Sequence, residues 1–163
     1  QSGRKISLPY GVEALRCYEG VKLQKKTEEV SERTEEVQEL NMEGTTSWVN
    51  ESFRTRIFPY SGEKILEKKY TKWFDCDKIN CELSVRTRRS GDYMIVNQSG
   101  GRKKLTRCMI DDKIPGEIRQ EIPLVAAKDE VLWIVGGRIS ERYKITSQTE
   151  KVLEITYQGG SLE

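Results

Sequence analysis

The sequence "VLWIV", residues 131–135, is the most apolar run of the chain and predicts a central buried strand. Strand-like alternation on either side of it predicts the rest of a sheet structure. The four earlier strands are expected at 53–58, 69–74, 83–88 and 93–96, and a closing strand at 152–157.

Two short helices are predicted between these strands. Residues 103–112 place Leu105, Cys108 and Met109 on one side of a helix. Pro115 at a helix start predicts a second helix through Glu121. Several strands with two short helices indicate an α+β fold, with a small mixed β-sheet or β-sandwich core.

The N-terminal part of the chain has a different composition. Residues 4–24 alternate between turn residues and predict two or three strands. Residues 27–44 repeat Thr-Glu-Glu-Val with one sizeable apolar residue per heptad, which is too few for a coiled coil. They predict an acidic linker or exposed helix, with a partner-binding helix as the alternative. The expected division is an N-terminal β segment (1–26), an acidic linker (27–46), a C-terminal domain (47–161) and a possible tag remnant (162–163).

Composition excludes several classes of function. The 163 residues include no histidine, which rules out Ser-His and Cys-His nucleophile pairs and His-ligated metals within this chain. No apolar run approaches a membrane span and no signal peptide opens the chain, so we expect a soluble, cytoplasmic protein. The four cysteines are expected to be reduced thiols, with a disulfide between Cys76 and Cys81 as the alternative.

Charge is distributed unevenly along the chain. The total is +2, but residues 86–151 hold 14 Lys and Arg against 9 Asp and Glu, a net charge of +5. Such a segment can bind a nucleic-acid backbone, or it can be a solvated basic edge. The cations that we single out are Arg86, Arg88, Arg89, Arg102, Lys103, Lys104, Arg107, Arg138, Arg142 and Lys144. Tyr143 among them is expected to pack on the core rather than to stack on a base.

Ser99-Gly100-Gly101 matches the start of the S-G-G-x-D-S loop of ATP pyrophosphatases. That loop needs Asp and Ser two and three residues after the glycines, and Lys103 and Lys104 stand there instead. Two interpretations remain, namely a tight turn with a basic surface and a cradle for one RNA phosphate. We expect no ATP chemistry at this loop.

No catalytic residue is predicted. Asp111 and Asp112 are adjacent on the predicted helix and therefore diverge by about 100°. Asp75 and Asp77 flank Cys76, with nothing nearby that would tune a pKa. Both pairs are expected to serve at turns or helix ends.

The joint spacing of several motifs resembles the C-terminal region of bacterial tRNA(Ile)-lysidine synthetases, the TilS family. The motifs are "RTRRSGD" at 86–92, "KKL" at 103–105, "DDKIP" at 111–115 and "LWIVG" at 132–136, and the resemblance covers residues 73–157. One departure is Tyr93, where relatives commonly have Arg or Lys.

The resemblance implies a function that the spacing alone does not. Such enzymes join lysine to cytidine 34 of tRNA(Ile) with ATP and Mg²⁺, in a catalytic domain that this chain lacks. The C-terminal region is similar in fold to a domain of the phenylalanyl-tRNA synthetase beta chain and helps to hold the tRNA, notably at the acceptor stem. The implied partners are tRNA(Ile) and the catalytic domain, with no cofactor in this piece. The alternative is an assembly module that mediates homodimerisation or docks the catalytic domain.

Overall fold

The computed structural model describes residues 36–65 and 67–159 in full, together with the backbone of three earlier strands. Residues 27–35 of the predicted acidic linker and the predicted tag remnant at 162–163 lie outside the described residues. The strands are β1 Lys5–Leu8, β2 Val12–Cys17, β3 Gly20–Lys25, β4 Gln38–Glu39, β5 Gly44–Trp48, β6 Glu51–Pro59, β7 Thr71–Asp75, β8 Ser84–Arg86, β9 Tyr93–Ile95, β10 Arg102–Lys104, β11 Leu124–Ala127, β12 Glu130–Ile134 and β13 Lys151–Gln158. The helix α1 spans Leu105–Asp111, and 3₁₀ turns span Cys76–Lys78 and Glu141–Tyr143.

The described strands form three sheets. An antiparallel sheet with the order β1-β2-β3 confirms the predicted N-terminal strands. A four-stranded antiparallel sheet has the order β5-β6-β13-β7, and a six-stranded sheet has the order β10-β9-β12-β11-β8-β4. Within the six-stranded sheet, β9 and β12 are parallel and the other pairs are antiparallel.

The four- and six-stranded sheets pack face to face around an aromatic core. Phe74 of β7 and Trp133 of β12 meet across it, with their ring centroids 6.4 Å apart. Apolar residues of both sheets complete the cluster, including Trp48, Phe53, Leu153 and Ile155 from one and Val85, Val125 and Leu132 from the other. The strand predicted from "VLWIV" is therefore at the centre, and each of its five residues is fully buried.

A β-bulge allows this apolar run to fill two cores. Val125 lies opposite Trp133 and Ala126 lies opposite Val131, which leaves Leu132 as the extra residue of β12. Leu132 and Trp133 consequently both join the core between the sheets, although they are neighbours in sequence. Val131 belongs to the core on the other face of the sheet.

Helix α1 covers that other face. Leu105, Cys108 and Met109 are buried on one side of the helix, as predicted. They pack against apolar residues of the sheet and of the segment before β11, namely Met94, Ile118, Ile122, Leu124, Ala126, Val131 and Ile134. The six-stranded sheet thus lies between the four-stranded sheet and α1.

The predicted start of α1 is two residues too early. Lys103 and Lys104 belong to β10, where they pair with Met94 and Tyr93 of β9. The glycine turn therefore closes a β-hairpin, and the helix begins only after its second strand.

The second predicted helix, from Pro115 to Glu121, is not formed. Ile118 N–H donates to the carbonyl of Pro115 at 3.1 Å, and Glu121 N–H donates to that of Ile118 at 2.9 Å. These i to i+3 bonds build turns rather than an α-helix. Gly116 disfavours a helix, and buried Ile118 anchors the turns to the core.

The two packed sheets include residues on the N-terminal side of position 47, where the C-terminal domain was predicted to begin. Strand β4 pairs with β8, and β5 pairs with β6, so residues from 38 onward belong to the two packed sheets. Leu40 is 3% exposed and Trp48 Nε1 donates to the carbonyl of Glu36 at 3.0 Å. Burial of Leu40 and Trp48 therefore ties the end of the predicted acidic linker into the fold.

The alternative disulfide is not formed. Cys76 and Cys81 are free thiols, as is Cys108. Burial raises the pKa of the Cys76 and Cys108 thiols, which favours the neutral form expected of structural cysteines.

The connection from β8 to β9 must cross two strands, because β11 and β12 lie between them in the sheet. A buried ion pair, which we name the Arg86–Asp92 clasp, fixes this crossover of residues 87–92. Arg86 is 1% exposed, and its two Nη atoms each donate to the Asp92 carboxylate at 2.8 Å. Arg86 also donates to the carbonyls of Thr87 at 3.0 Å and Lys128 at 2.7 Å.

Asp92 connects the clasp to the elements that follow. Its carboxylate accepts a hydrogen bond from the Arg89 N–H at 2.7 Å, and its carbonyl accepts one from the Leu105 N–H at 2.9 Å. The next residue, Tyr93, donates its N–H to the carbonyl of Asp129 at 3.0 Å. The clasp therefore holds the crossover, the β11–β12 turn and the start of α1 together.

We predict that Asp92→Asn destabilises the protein by about 3–5 kcal/mol, because it leaves the charge of Arg86 buried without its counter-ion. Urea unfolding followed by circular dichroism measures this change.

The matched control is Asp112→Asn, which breaks the partly exposed Arg138–Asp112 pair and should cost less than about 1 kcal/mol. Equal losses of stability in the two variants would contradict the structural role of the clasp.

Candidate nucleic-acid interface

The ten cations predicted to bind RNA differ in the partners that the fold gives them. The prediction that Arg86 contacts RNA needs correction, because this side chain is buried in the clasp and cannot meet a ligand at the surface. Five others pair with carboxylates of this chain, namely Lys103, Arg107, Arg138, Arg142 and Lys144. Among the residues that the structure describes, four make no ion pair, namely Arg88, Arg89, Arg102 and Lys104.

Asp111 and Asp112 at the end of α1 hold three of the paired cations. Lys103 Nζ contacts the Asp111 carboxylate, with Arg107 Nε 3.6 Å away, and the hydrogen bond from Lys103 lowers the pKa of Asp111. Arg138 donates to both oxygens of Asp112, at 2.8 and 2.5 Å, which raises the pKa of Arg138. The two carboxylates thus serve different cations, as expected for adjacent helical residues.

Glu130 and Glu141 hold the other two paired cations. Arg142 Nη1 lies 2.9 and 3.0 Å from the two oxygens of Glu130, and Lys144 Nζ donates to Glu141 at 2.5 Å. The hydroxyl of Tyr143 also donates to Glu130, at 2.9 Å. Tyr143 is only 5% exposed, so the prediction that it packs on the core is confirmed.

The four cations without ion pairs lie on the crossover and on the hairpin next to it. Arg88 and Arg89 follow the buried Arg86 in the crossover, and Arg89 is exposed. Lys104 lies opposite Tyr93 across β10 and β9. The guanidinium of Arg102 lies over the Tyr93 ring, 4.4 Å from its centroid, which holds an exposed charge in a defined place.

Beside the crossover is a cavity of about 430 Å³ that we name the Arg88–Arg89 pocket. It is lined by side chains of the crossover, of α1 and of the turns before β11, namely Thr87, Arg88, Arg89, Ser90, Thr106 and Gln120. Arg88 Nη1 is buried and has no hydrogen-bond partner among the described residues. The pocket therefore offers positive charge, hydroxyl groups and an amide to a ligand.

Two other cavities contain carboxylates. One of about 520 Å³ is lined in part by Glu67 and Glu141, beside apolar residues such as Ile65 and Trp73. One of about 1030 Å³ includes Asp77, Glu130 and Glu141. Both are less suited to an anion than the Arg88–Arg89 pocket.

Comparison with known proteins agrees with the resemblance in the motifs. The family model for the "TilS substrate C-terminal domain" matches residues 83–155. A solved structure, "Crystal structure of TILS C-terminal domain", matches with a TM-score of 0.62 and 26% identity, over 76% of this chain and 96% of that chain. This chain carries a TilS C-terminal domain. Its α+β fold is confirmed, with one α-helix and two 3₁₀ turns among the described residues.

Curated relatives of this TilS domain are tRNA(Ile)-lysidine synthases. One from Caldanaerobacter subterraneus subsp. tengcongensis is 38% identical over 154 residues, which cover 94% of this chain and 33% of the relative. One from Clostridium perfringens is 32% identical over 171 residues, which cover 97% of this chain and 36% of the relative. The chain thus spans about a third of the length of these relatives.

In this TilS domain the "RTRRSGD" motif combines two roles. Its ends, Arg86 and Asp92, form the buried clasp, whereas Arg88 and Arg89 between them line the pocket. The positive φ of Gly91, 92°, places the chain in a conformation that favours glycine just before Asp92. The fold therefore separates one charged motif into a structural pair and a pair that can bind a ligand.

The glycine loop of the TilS domain is closed by Asn97. Asn97 Oδ1 accepts hydrogen bonds from the Gly101 N–H and the Ser99 hydroxyl, both at 2.8 Å, and Gly100 N–H donates to the Asn97 carbonyl at 3.2 Å. A Cβ on Gly101 would lie 2.5 Å from Asn97 Nδ2. The turn itself uses the N–H groups of Gly100 and Gly101 and the hydroxyl of Ser99, so the tight-turn interpretation is the better one.

Four polar residues that line the Arg88–Arg89 pocket were not predicted from the sequence, namely Thr87, Ser90, Thr106 and Gln120. Only Thr106 had a local signal, as an exposed position of a predicted helix. Gln120 lies in turns that were predicted as a helix, so no periodicity could place it beside the crossover.

In the fully described ranges 36–65 and 67–159, no group of His, Cys, Asp and Glu residues is arranged to hold a metal ion. No helix within the described part of the chain is long and apolar enough to cross a membrane.

We predict that the stabilising effect of the Tyr143 hydroxyl is lost at high pH. Burial, followed by the hydrogen bond to Glu130, raises the pKa of Tyr143 to about 12 from its ordinary 10.0. The folded state then holds this proton more tightly than the unfolded state, so the contribution is complete below pH 10 and disappears as the pH rises toward 12. Tyr143→Phe should lower the free energy of unfolding by about 1 kcal/mol at neutral pH.

The measurement is the difference in unfolding free energy between the wild type and Tyr143→Phe across this pH range. Because the other tyrosines titrate in both proteins, their effects cancel in the difference. A difference that stays constant from pH 9 to pH 12 would contradict the assigned pKa.

Proposed function

We propose that this domain holds tRNA(Ile) by contacts to the RNA backbone, as a non-catalytic part of a tRNA(Ile)-lysidine synthase. The observation that carries the proposal is the placement of Arg88, Arg89, Arg102 and Lys104. These four cations lack an ion pair among the described residues, and they lie on a crossover and a hairpin that meet at Asp92 and Tyr93. Cations held on such elements suit an RNA backbone, which presents one phosphate per nucleotide.

The proposed whole protein joins lysine to a cytidine of the tRNA with ATP and Mg²⁺, and acts in the cytoplasm, where it meets its tRNA. Both cofactors would serve the catalytic region, and no residue of this chain is assigned to them. The resemblance implies the acceptor stem as the contacted region, so an acceptor-stem minihelix should compete with the whole tRNA. An anticodon stem-loop of equal length should compete less well.

The test is a titration of tRNA(Ile) against the 163-residue chain at several salt concentrations. Affinity should fall as salt rises, because binding of cations to phosphates releases counterions. Arg88→Gln with Arg89→Gln should weaken binding and reduce the slope of log K against log salt by about two, close to one unit per lost phosphate contact. Arg86 is left unchanged, since its removal would unfold the crossover.

The matched control is Arg54→Gln with Lys64→Gln, which also removes two positive charges. Arg54 lies on β6 and Lys64 follows that strand, and both are exposed, lie outside the Arg88–Arg89 pocket and make no ion pair among the described residues. The proposal is wrong if the control weakens binding as much as the pocket variant, or if the wild type has no affinity at low salt.

One observation favours the assembly module as a second candidate. The cavity of about 520 Å³ is bordered by Ile65, which is 41% exposed, and by Trp73 and Ile139. Such an apolar surface suits a protein partner. Sedimentation across a range of concentrations separates the two candidates, because a stable dimer without RNA affinity supports assembly and a monomer that binds tRNA supports the first proposal.

A further inference from the structure

The Arg88–Arg89 pocket differs in its chemistry from the cavities of about 520 and 1030 Å³. Among the described residues, its lining contains two arginines and no carboxylate, whereas each of the other two cavities has at least two carboxylates. Several other cations of this domain are placed against acidic side chains, as Arg138 is against Asp112. An anion that enters the pocket therefore meets positive charge without a competing negative group.

Arg88 is the donor that this pocket leaves unsatisfied. Its Nη1 is buried, and no described residue accepts its hydrogen bond. A buried donor without a partner destabilises the folded protein, and more so when the group is charged. Rotation of the guanidinium toward the pocket would let a ligand oxygen accept this hydrogen bond, and phosphate oxygens are strong acceptors for a guanidinium.

Neutral donors stand beside the two arginines. Thr106 projects from α1 and Gln120 from the turns before β11, and Ser90 follows the arginines in the crossover. The supporting elements are fixed, because the clasp holds the crossover and Arg119 Nε donates to the carbonyl of Ile114 at 2.8 Å within the turns. Fixed donors bind an anion with little loss of conformational freedom.

We infer that the Arg88–Arg89 pocket binds one phosphate group of the RNA, and that Thr106 and Gln120 hydrogen-bond to it together with Arg88. The inference rests on the proposed function and refines it, since it distinguishes a site with hydrogen-bond geometry from a diffuse basic surface. A diffuse surface responds to charge alone. A built site also responds to the loss of neutral donors.

The test is the double variant Thr106→Val and Gln120→Ala, which changes no charge. The expected result is a weakening of tRNA(Ile) binding by about a hundredfold, the loss expected for two hydrogen bonds to an anion. The slope of log K against log salt should stay at the wild-type value, because no cation is removed. The matched control is Thr45→Val with Gln148→Ala, which alters one exposed threonine and one exposed glutamine outside the pocket and should leave affinity unchanged.

A second measurement uses inorganic phosphate as the probe, followed by NMR of the Arg88 side-chain N–H and the Thr106 amide. Both signals should shift with phosphate in the wild type, and the Arg88 signal should shift less in the Thr106→Val and Gln120→Ala variant. This readout does not depend on RNA or on the effect of a substitution on stability.

Three outcomes are distinguishable. If the arginine variant loses tRNA affinity but the neutral variant matches its control, the phosphate pocket is wrong and the proposed function stands. If both variants bind tRNA as the wild type does, the phosphate pocket and the proposed function are both wrong. Phosphate shifts at Arg88 together with a loss of about a hundredfold in the neutral variant support the pocket.

Discussion

The buried ion pair between Arg86 and Asp92 is the interaction on which the rest of this domain depends. Two charges taken out of water are not stabilising by default, because the loss of hydration offsets their attraction. Here each end of the pair accepts or donates further bonds to the backbone, at Thr87, Lys128 and Arg89. The pair thus specifies where a six-residue crossover runs over two strands. The crossover has no apolar side chain that could fix this path by packing on the core.

The position of the clasp also decides which cations remain available. The segment with a net charge of +5 suggests a broad basic surface, yet the fold pairs five of the ten predicted cations with its own carboxylates and buries a sixth. Such paired charges contribute little local potential, since their fields largely cancel at the distance of a ligand. The remaining four cations lie where the crossover meets the β9–β10 hairpin, so the attractive surface is smaller and better defined than the net charge implies.

Much of the fold follows from the sequence, and the failures have physical causes. Alternation and the apolar run located nine of the thirteen described strands but not β4, β5, β10 and β11. The spacing of Leu105, Cys108 and Met109 located α1, because burial of one face leaves a periodic signal. Arg86 was assigned to the surface because a strand was expected through residue 88. Strand β8 ends at Arg86, and the counter-ion that permits its burial is six residues further along the chain. The helix-start signal of Pro115 likewise placed a helix at 115–121, where anchoring of Ile118 selects turns.

The glycine loop and the Arg88–Arg89 pocket differ in whether their donors already have acceptors. At the loop, the side-chain oxygen of Asn97 accepts from the Gly101 N–H and the Ser99 hydroxyl, which are the groups that a phosphate would have to claim. A ligand at the loop would first have to displace these hydrogen bonds to Asn97. At the pocket, Arg88 Nη1 is buried without an acceptor among the described residues, so a small rotation of its guanidinium would give a ligand oxygen a hydrogen bond without breaking one. The motif that looks like a phosphate loop is therefore the poorer anion site, and the better one lies where the sequence shows only two arginines in a crossover.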